Sequence, residues 1–313
     1  MLHAAEPSEK ERRIPPPARS RACPLGVESP RGGLFGLEAE TPAAAGFSEE
    51  ASSGGLGRRV ASCCSPAGRG LEQESMARTL YDLAGAEDDR RFSPYCWRVK
   101  MALAHKGLSF ESVPWRFTEK DAIAFSAQGL VPVLLDHERV VTDSWAILQF
   151  LEANYADSAP LAEGAEAWAY ALFIKQWTER SLQPAIQRII LPDVLAHLHP
   201  KDQSYFRATR EARIGTTVEA FSADRSTHLT QLRKVLDPLR ATLAERPYLG
   251  PRPGLADYLV FGAFQWARCT SQVPLLQADD PVHAWRERML GLHGGFASRS
   301  LGYSTAVPEL EHD

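Results

Sequence analysis

The sequence predicts a small α+β domain followed by an all-α helical domain, with a disordered extension in front of both. Three observations carry this reading. The composition changes abruptly near Met76, strand and helix patterns alternate over about the next eighty residues, and from Pro160 onward the apolar spacing is helical throughout.

Gly and Pro together supply 18 of residues 1–75 but only 26 of the remaining 238, and every Trp and Tyr lies after residue 76. So little large apolar surface cannot offset the entropy of ordering a chain, so residues 1–75 are expected to be disordered. Pro15-Pro16-Pro17 and Ser52-Ser53-Gly54-Gly55 point the same way. Arg is frequent there and Asp absent, which would suit an organelle presequence, but Glu49, Glu50 and eight further Glu residues do not. Met76 is the expected true start, because the ordered pattern begins directly after it and the Ala, Arg, Gly and Pro bias before it resembles translated GC-rich leader.

From Thr79 the elements follow one another. Thr79 to Leu83 alternates as a short strand, and a polar loop runs through Asp88 to Arg91. Ser93-Pro94 reads as an N-cap and first helical position, opening a helix to about His105 that Gly107 ends. Phe110 to Trp115 is a second strand, Glu119 to Ser126 a short helical stretch, and Val133 to Leu135 a third strand. A turn at Asp136-His137-Glu138 leads into a fourth, Arg139 to Thr142. Asp143-Ser144 then begins a helix in which Ile147, Leu148 and Leu151 share a face.

Asp157 to Pro160 reads as a linker, and beyond it Ala169, Leu172, Phe173 and Trp177 form one stripe. Leu259, Val260, Ala263, Phe264 and Ala267 have the spacing of a buried helix face, and Asp237-Pro238 reads as a fresh N-cap and first position for the helix of Leu239 and Leu243. The expected division is therefore 1–75 extension, 76–157 α+β domain, 160–290 helical domain and 291–313 C-terminal tail.

The net charge of −4 offers no concentrated basic footprint for nucleic acid or an acidic membrane surface. No apolar run reaches the length of a membrane span. Five scattered cysteines, Cys23, Cys63, Cys64, Cys96 and Cys269, without a CxxC pair, point to a reducing, cytoplasmic compartment. His197 and His199 lack partners at ligand spacing, and no metal is expected.

Ser93-Pro94-Tyr95-Cys96 carries the most chemistry. Backbone N–H groups at a helix N-terminus favour a nearby anion, a thiolate included. A serine cannot form a mixed disulfide, but its O–H can donate to a bound thiolate and lower that thiol's pKa. Val131-Pro132 stands at the entry to the third strand, where a cis peptide would turn the Val131 amide and carbonyl outward to pair with an extended peptide. Asp143-Ser144 offers a hydroxyl, N–H groups and a carboxylate suited to the α-amino and α-carboxylate ends of an amino acid. Alone, each has an ordinary reading as a cap or a strand-bounding trans proline.

In that order and spacing the three motifs resemble the glutathione transferase superfamily. Residues 78–155 resemble its thioredoxin-like N-terminal domain, and residues 160–290 its all-helical C-terminal domain. Ser93 to Arg98, Val113 to Thr118 and Val141 to Trp145 more narrowly resemble the bacterial glutathione-dependent β-aryl etherases and related serine-type fungal transferases. The resemblance implies that Ser93 hydrogen-bonds the sulfur of glutathione, the co-substrate. It implies that Val131, beside Pro132, pairs with the cysteinyl backbone and that Asp143 and Ser144 hold the γ-glutamyl group, with Lys120 for the glycyl carboxylate. It also implies transfer to a small hydrophobic electrophile, β-etherase-like aryl ether cleavage as one version, and a homodimer. Gly254 stands at the family's capping box, whose Asp257 is expected to be structural. Trp168 and Trp177 are candidates for either the acceptor pocket or the core. Two rivals are a thiol transferase using Cys96 as nucleophile and a non-catalytic binder of glutathione or hydrophobic ligands.

Overall fold

The computed structural model of the chain describes residues 78–304. The extension expected over 1–75, the start expected at Met76 and the last residues of the tail lie outside the described residues.

The first strand, β1 (Thr79–Leu83), is followed by α1 (Pro94–His105) and β2 (Glu111–Trp115). Strands β1 and β2 run parallel, Thr79 opposite Glu111 and Leu83 opposite Trp115. Parallel neighbours need a long crossover, and α1 supplies it. A 3₁₀ turn at Lys120–Ser126 leads to β3 (Val133–Asp136), which lies antiparallel to β1 with Tyr81 opposite Val133. Then β4 (Arg139–Thr142) folds back along β3, giving the order β2-β1-β3-β4. His137 makes that hairpin turn with a φ of 55°. The helix α2 (Ser144–Asn154) completes the unit, and Leu80, Val99, Leu103, Leu134, Ile147, Leu148 and Leu151 are buried in its core. This is the thioredoxin-like arrangement expected from the sequence.

All later elements are helical: α3 (Gly164–Trp177), a π turn at Thr178–Leu182, α4 (Gln183–Ala196), α5 (Pro200–Ile214), α6 (Val218–Phe221), α7 (Arg225–Val235), α8 (Asp237–Glu245), α9 (Leu255–Thr270) and α10 (Pro281–Gly295). The helix α9 is buried on all sides except at Arg268, as an apolar surface all round requires. It packs on α1, α3, α4 and α10. At the α1 contact the chains approach so closely that a Cβ on Gly262 would stand 2.4 Å from the Pro94 carbonyl oxygen.

Asp257, three residues into the capping box, ties α9 to its surroundings. Its Oδ2 accepts from the Gly254 amide at 3.2 Å, and its Oδ1 accepts from the Leu249 amide at 3.0 Å and the Trp285 indole at 2.8 Å. With glycine at the cap, backbone-only bonding is the sequence expectation. The indole bond, from a side chain of α10, overturns it.

The structure sets the direction of one stripe and corrects two expectations. The stripe of Ala169, Leu172 and Phe173 faces outward, Phe173 being 67% exposed, while Ala171 and Ile174 are buried. With apolar residues on both faces of α3, spacing alone does not say which turns inward. Asp237 is already in the first turn of α8, because Leu236 is helical (φ −80°, ψ −9°) and α7 runs almost directly into α8. The helical domain also continues past residue 290. The helix α10 reaches Gly295, Ala297 is fully buried, and the Gln265 amide donates to the Ala297 carbonyl at 3.1 Å.

Candidate functional site

A cavity of about 240 Å³ opens where the first turns of α1 and α2, the segment before β3, and α3 with its π turn come together. Ser93, Val131, Pro132, Asp143 and Ser144 all line it. Four segments separate in sequence thus supply one wall each.

Ser93 is the N-cap of α1 (φ −63°, ψ 124°), with Pro94 in the first turn. Its Oγ is buried and accepts from the Cys96 amide at 3.2 Å. Accepting that bond leaves the hydroxyl proton available to donate. The orphan N–H groups of the first turn face the same end of the helix and favour negative charge there.

The Val131-Pro132 peptide is cis, and Val131 lies just outside the paired span of β3, which begins at Val133. Asp143 caps α2, its Oδ1 accepting from the Trp145 and Ala146 amides at 2.9 and 3.0 Å. Its φ is 67°, a sparsely populated conformation for any residue but glycine, and such strain concentrates at functional sites. Ser144 is buried beside it.

Lys120 stands apart from the cavity lining. Its ammonium donates to the Gly129 carbonyl at 2.5 Å and lies 4.9 Å above the Trp115 ring. Burial, followed by the charge of Arg210, lowers its pKa. Cys96 is fully buried, and burial together with the neighbouring Asp82 pushes its thiol well above the ordinary range. A thiolate is therefore not favoured there. Neither Trp168 nor Trp177 lines the cavity. Trp168 packs on Trp145 at 5.3 Å beside a second hollow that also includes Leu172.

Other lining residues carry no signal strong enough to have been singled out from sequence: Gln128, Tyr95, Lys175 and Glu179, with the rings of Trp115 and Phe117. Lys175 and Glu179 pair at 2.7 Å across the junction of α3 and the π turn, and Arg98 of α1 reaches the same carboxylate at 2.7 Å. Burial would raise the Glu179 carboxyl, but Arg98 and Lys175 hold it below the ordinary range. A π turn inside a helix is itself a frequent mark of a functional site. Tyr95 lies two residues after the Ser93 cap, which is the one sequence cue that could have found it.

His197 bonds Tyr303 at 2.8 Å and His199 caps α5, accepting from the Lys201 amide at 3.3 Å. Among the described residues no group of three or more His, Cys, Asp or Glu is arranged to hold a metal ion, and no helix is long and apolar enough to cross a membrane.

Comparison with known proteins joins these features. The family model for the glutathione S-transferase N-terminal domain matches residues 92–154, and that for the C-terminal domain matches residues 169–301. Glutathione S-transferase 3 of Zea mays is 31% identical over 175 residues, which span 53% of this chain and 70% of the maize protein. A zeta-class glutathione S-transferase of Euphorbia esula is 29% identical over a stretch covering 34% of this chain and half of that protein. Among solved structures, a glutathione transferase of Phanerochaete chrysosporium superposes with a TM-score of 0.57 at 25% identity, covering 70% of this chain and 92% of its own. The glutathione complex of a Ceriporiopsis subvermispora glutathione S-transferase shares the fold, with a TM-score of 0.57 at 21% identity, covering 71% of this chain and 94% of its own. Two domain matches in the family's order, on the fold and around the cavity just described, identify the chain as a member of the glutathione S-transferase family.

Proposed function

We propose that the chain is a serine-type glutathione transferase in which Ser93 activates the glutathione thiol for attack on a small hydrophobic electrophile. One observation carries this reading: Ser93, Val131, Pro132, Asp143 and Ser144, which the resemblance singles out, converge on one cavity at the N-terminus of α1. The Ser93 hydroxyl donates to the sulfur, and the first turn of α1 adds its N–H groups, so the thiolate is favoured over the thiol. The Val131 backbone pairs with the cysteinyl residue, and Asp143 with Ser144 takes the γ-glutamyl end. Lys120, whose ammonium uses one of its three donors on the Gly129 carbonyl, takes the glycyl carboxylate with another. The thiol proton passes to solvent, the sulfur forms the new C–S bond, and the leaving group departs with its electron pair. In a β-etherase-like version the leaving group is an aryloxide. Residues 76–157 form the glutathione half and the helices from residue 160 onward the acceptor half. The protein works in the cytoplasm.

The rival use of Cys96 presupposes an exposed, acidic thiol, and its burial argues against that. Glutathione thiolate absorbance followed against pH tests the reading directly. Bound to the protein, glutathione should ionise at least one pH unit lower than free in solution, a difference of about 1.4 kcal/mol. Cys96→Ala should retain turnover. An unshifted thiol, or loss of turnover with the Cys96 variant alone, would count against the assignment.

The outward face of α3 supports a homodimer. Leu172 and Phe173 are exposed beside the hollow formed by Trp145 and Trp168, and contiguous apolar surface of this kind marks a contact. Sedimentation should give twice the chain mass for wild type and a single chain mass for Phe173→Glu combined with Leu172→Glu. A wild type that sediments as a single chain at micromolar concentration would contradict it.

A further inference from the structure

Where the helical domain meets α1 behind the cavity, two cations converge on one carboxylate, and activation of the thiol gives this cluster no task. Lys175 and Arg98 share the single carboxylate of Glu179, each at 2.7 Å. Arg98 is wholly buried. Its Nε and Nη2 have no hydrogen-bond partner among the described residues, and the same holds for Thr178 Oγ1 and Gln183 Nε2. All four atoms can donate, and all belong to α1, to the π turn or to the first residue of α4. The Tyr95 ring covers the Arg98 guanidinium at 4.8 Å, and its hydroxyl donates to Gln183 Oε1 at 3.1 Å. One carboxylate between two cations leaves this cluster with one positive charge in excess, and its unmet buried donors are acceptor-poor.

Of these groups Lys175 and Glu179 reach the cavity surface; Lys175 is the one cation among the described lining residues, and the second lining carboxylate, Asp143, is the one given above to the γ-glutamyl end of glutathione. Arg98 stands behind them and engages one oxygen of Glu179, so that this carboxylate only partly neutralises Lys175. The neighbouring walls are the aromatic rings of Tyr95, Trp115 and Phe117. A flat ring with an anionic oxygen group fits such a surface, the ring against the aromatics and the anion against the ammonium.

We propose that Lys175 is the specificity-determining residue of the acceptor half and selects aromatic electrophiles that carry a carboxylate. The inference rests on the serine-type transferase reading and adds the class of acceptor. With a halogenated aromatic acid, the thiolate sulfur bonds to the ring carbon, the carbon–halogen bond breaks and halide leaves with the bonding pair. The thiol proton goes to solvent, and the carboxylate is unchanged.

Two matched probes separate this inference from its premise: a chloronitrobenzoate and the corresponding neutral chloronitrobenzamide, each rate divided by its uncatalysed rate with glutathione. Wild type should favour the benzoate by about tenfold in kcat/KM, the size of one charge-assisted hydrogen bond. Lys175→Met should bring the ratio to about one, and Lys175→Arg should keep most of it. The same preference should appear without chemistry, as tighter quenching of tryptophan fluorescence by unreactive nitrobenzoate than by nitrobenzamide. A ratio that is equal in wild type and Lys175→Met, in either assay, overturns the role of Lys175. If neither acceptor turns over while the quenching preference holds and follows Lys175, the transferase premise fails and the anion site stands.

Discussion

Replacing Ser93 with alanine is expected to lower kcat/KM for glutathione transfer by about ten- to a hundredfold, with the bound thiol titrating close to its free value. The expectation follows from the position of the hydroxyl. Its oxygen is engaged by the Cys96 amide, so the proton is directed to a second partner, and the buried first turn of α1 makes a sulfur anion the partner best rewarded. A hydrogen bond to a charged group contributes about 1–3 kcal/mol, which sets the range. The substitution also removes an N-cap, which costs about 1 kcal/mol of stability. Thermal unfolding will register that loss, whereas the ionisation of bound glutathione will not. Coincident thiolate titration curves for wild type and Ser93→Ala would show that the hydroxyl is a cap and nothing more.

Asp257→Ala should be the most damaging single change to stability, by about 3 kcal/mol at neutral pH in urea unfolding. Three donors, the buried Leu249 amide and Trp285 indole and the part-buried Gly254 amide, would lose their acceptor together. Burial pushes the Asp257 carboxyl up to about 6 from its ordinary 3.8, in spite of those donors. Between these two values the folded state holds the proton more tightly than the unfolded state. The proton-linked part of its contribution is therefore fully present below about pH 4 and is lost as pH rises through 6, a change of about 3 kcal/mol, while the three accepted bonds remain at neutral pH. Asp257→Asn keeps an acceptor for Leu249 and Trp285 and cannot ionise. It should lie between wild type and the alanine variant at neutral pH and lack the pH slope. A loss below about 1 kcal/mol for Asp257→Ala would mean that water replaces the carboxylate.

Both residues were legible in the sequence, because capping chemistry is local. Ser93-Pro94 declares itself within a few residues, and so does an Asp three positions into a helix. The four strands were readable for a similar reason, since short alternating runs between turns leave few other arrangements. The cluster of two cations on Glu179 was not. Lys175 and Glu179 four residues apart look like any solvated helix pair, and what changes their meaning is Arg98, 81 residues away. The outward face of α3 was hidden by its composition, since Ala171 and Ile174 are as apolar as the residues that stay exposed. Helix packing chose between the two faces, and no local rule encodes that choice.

At Gly262 two main chains meet with no side chain between them. Where the central helix crosses the start of α1, there is room for a hydrogen atom and for nothing larger, the obstacle being the carbonyl of the residue next to Ser93. Modular exchange of the two halves between related chains would therefore succeed only with donors that keep that bare crossing. Any added carbon would lever the serine out of register from a distance, through main chain that has no slack to absorb the shift.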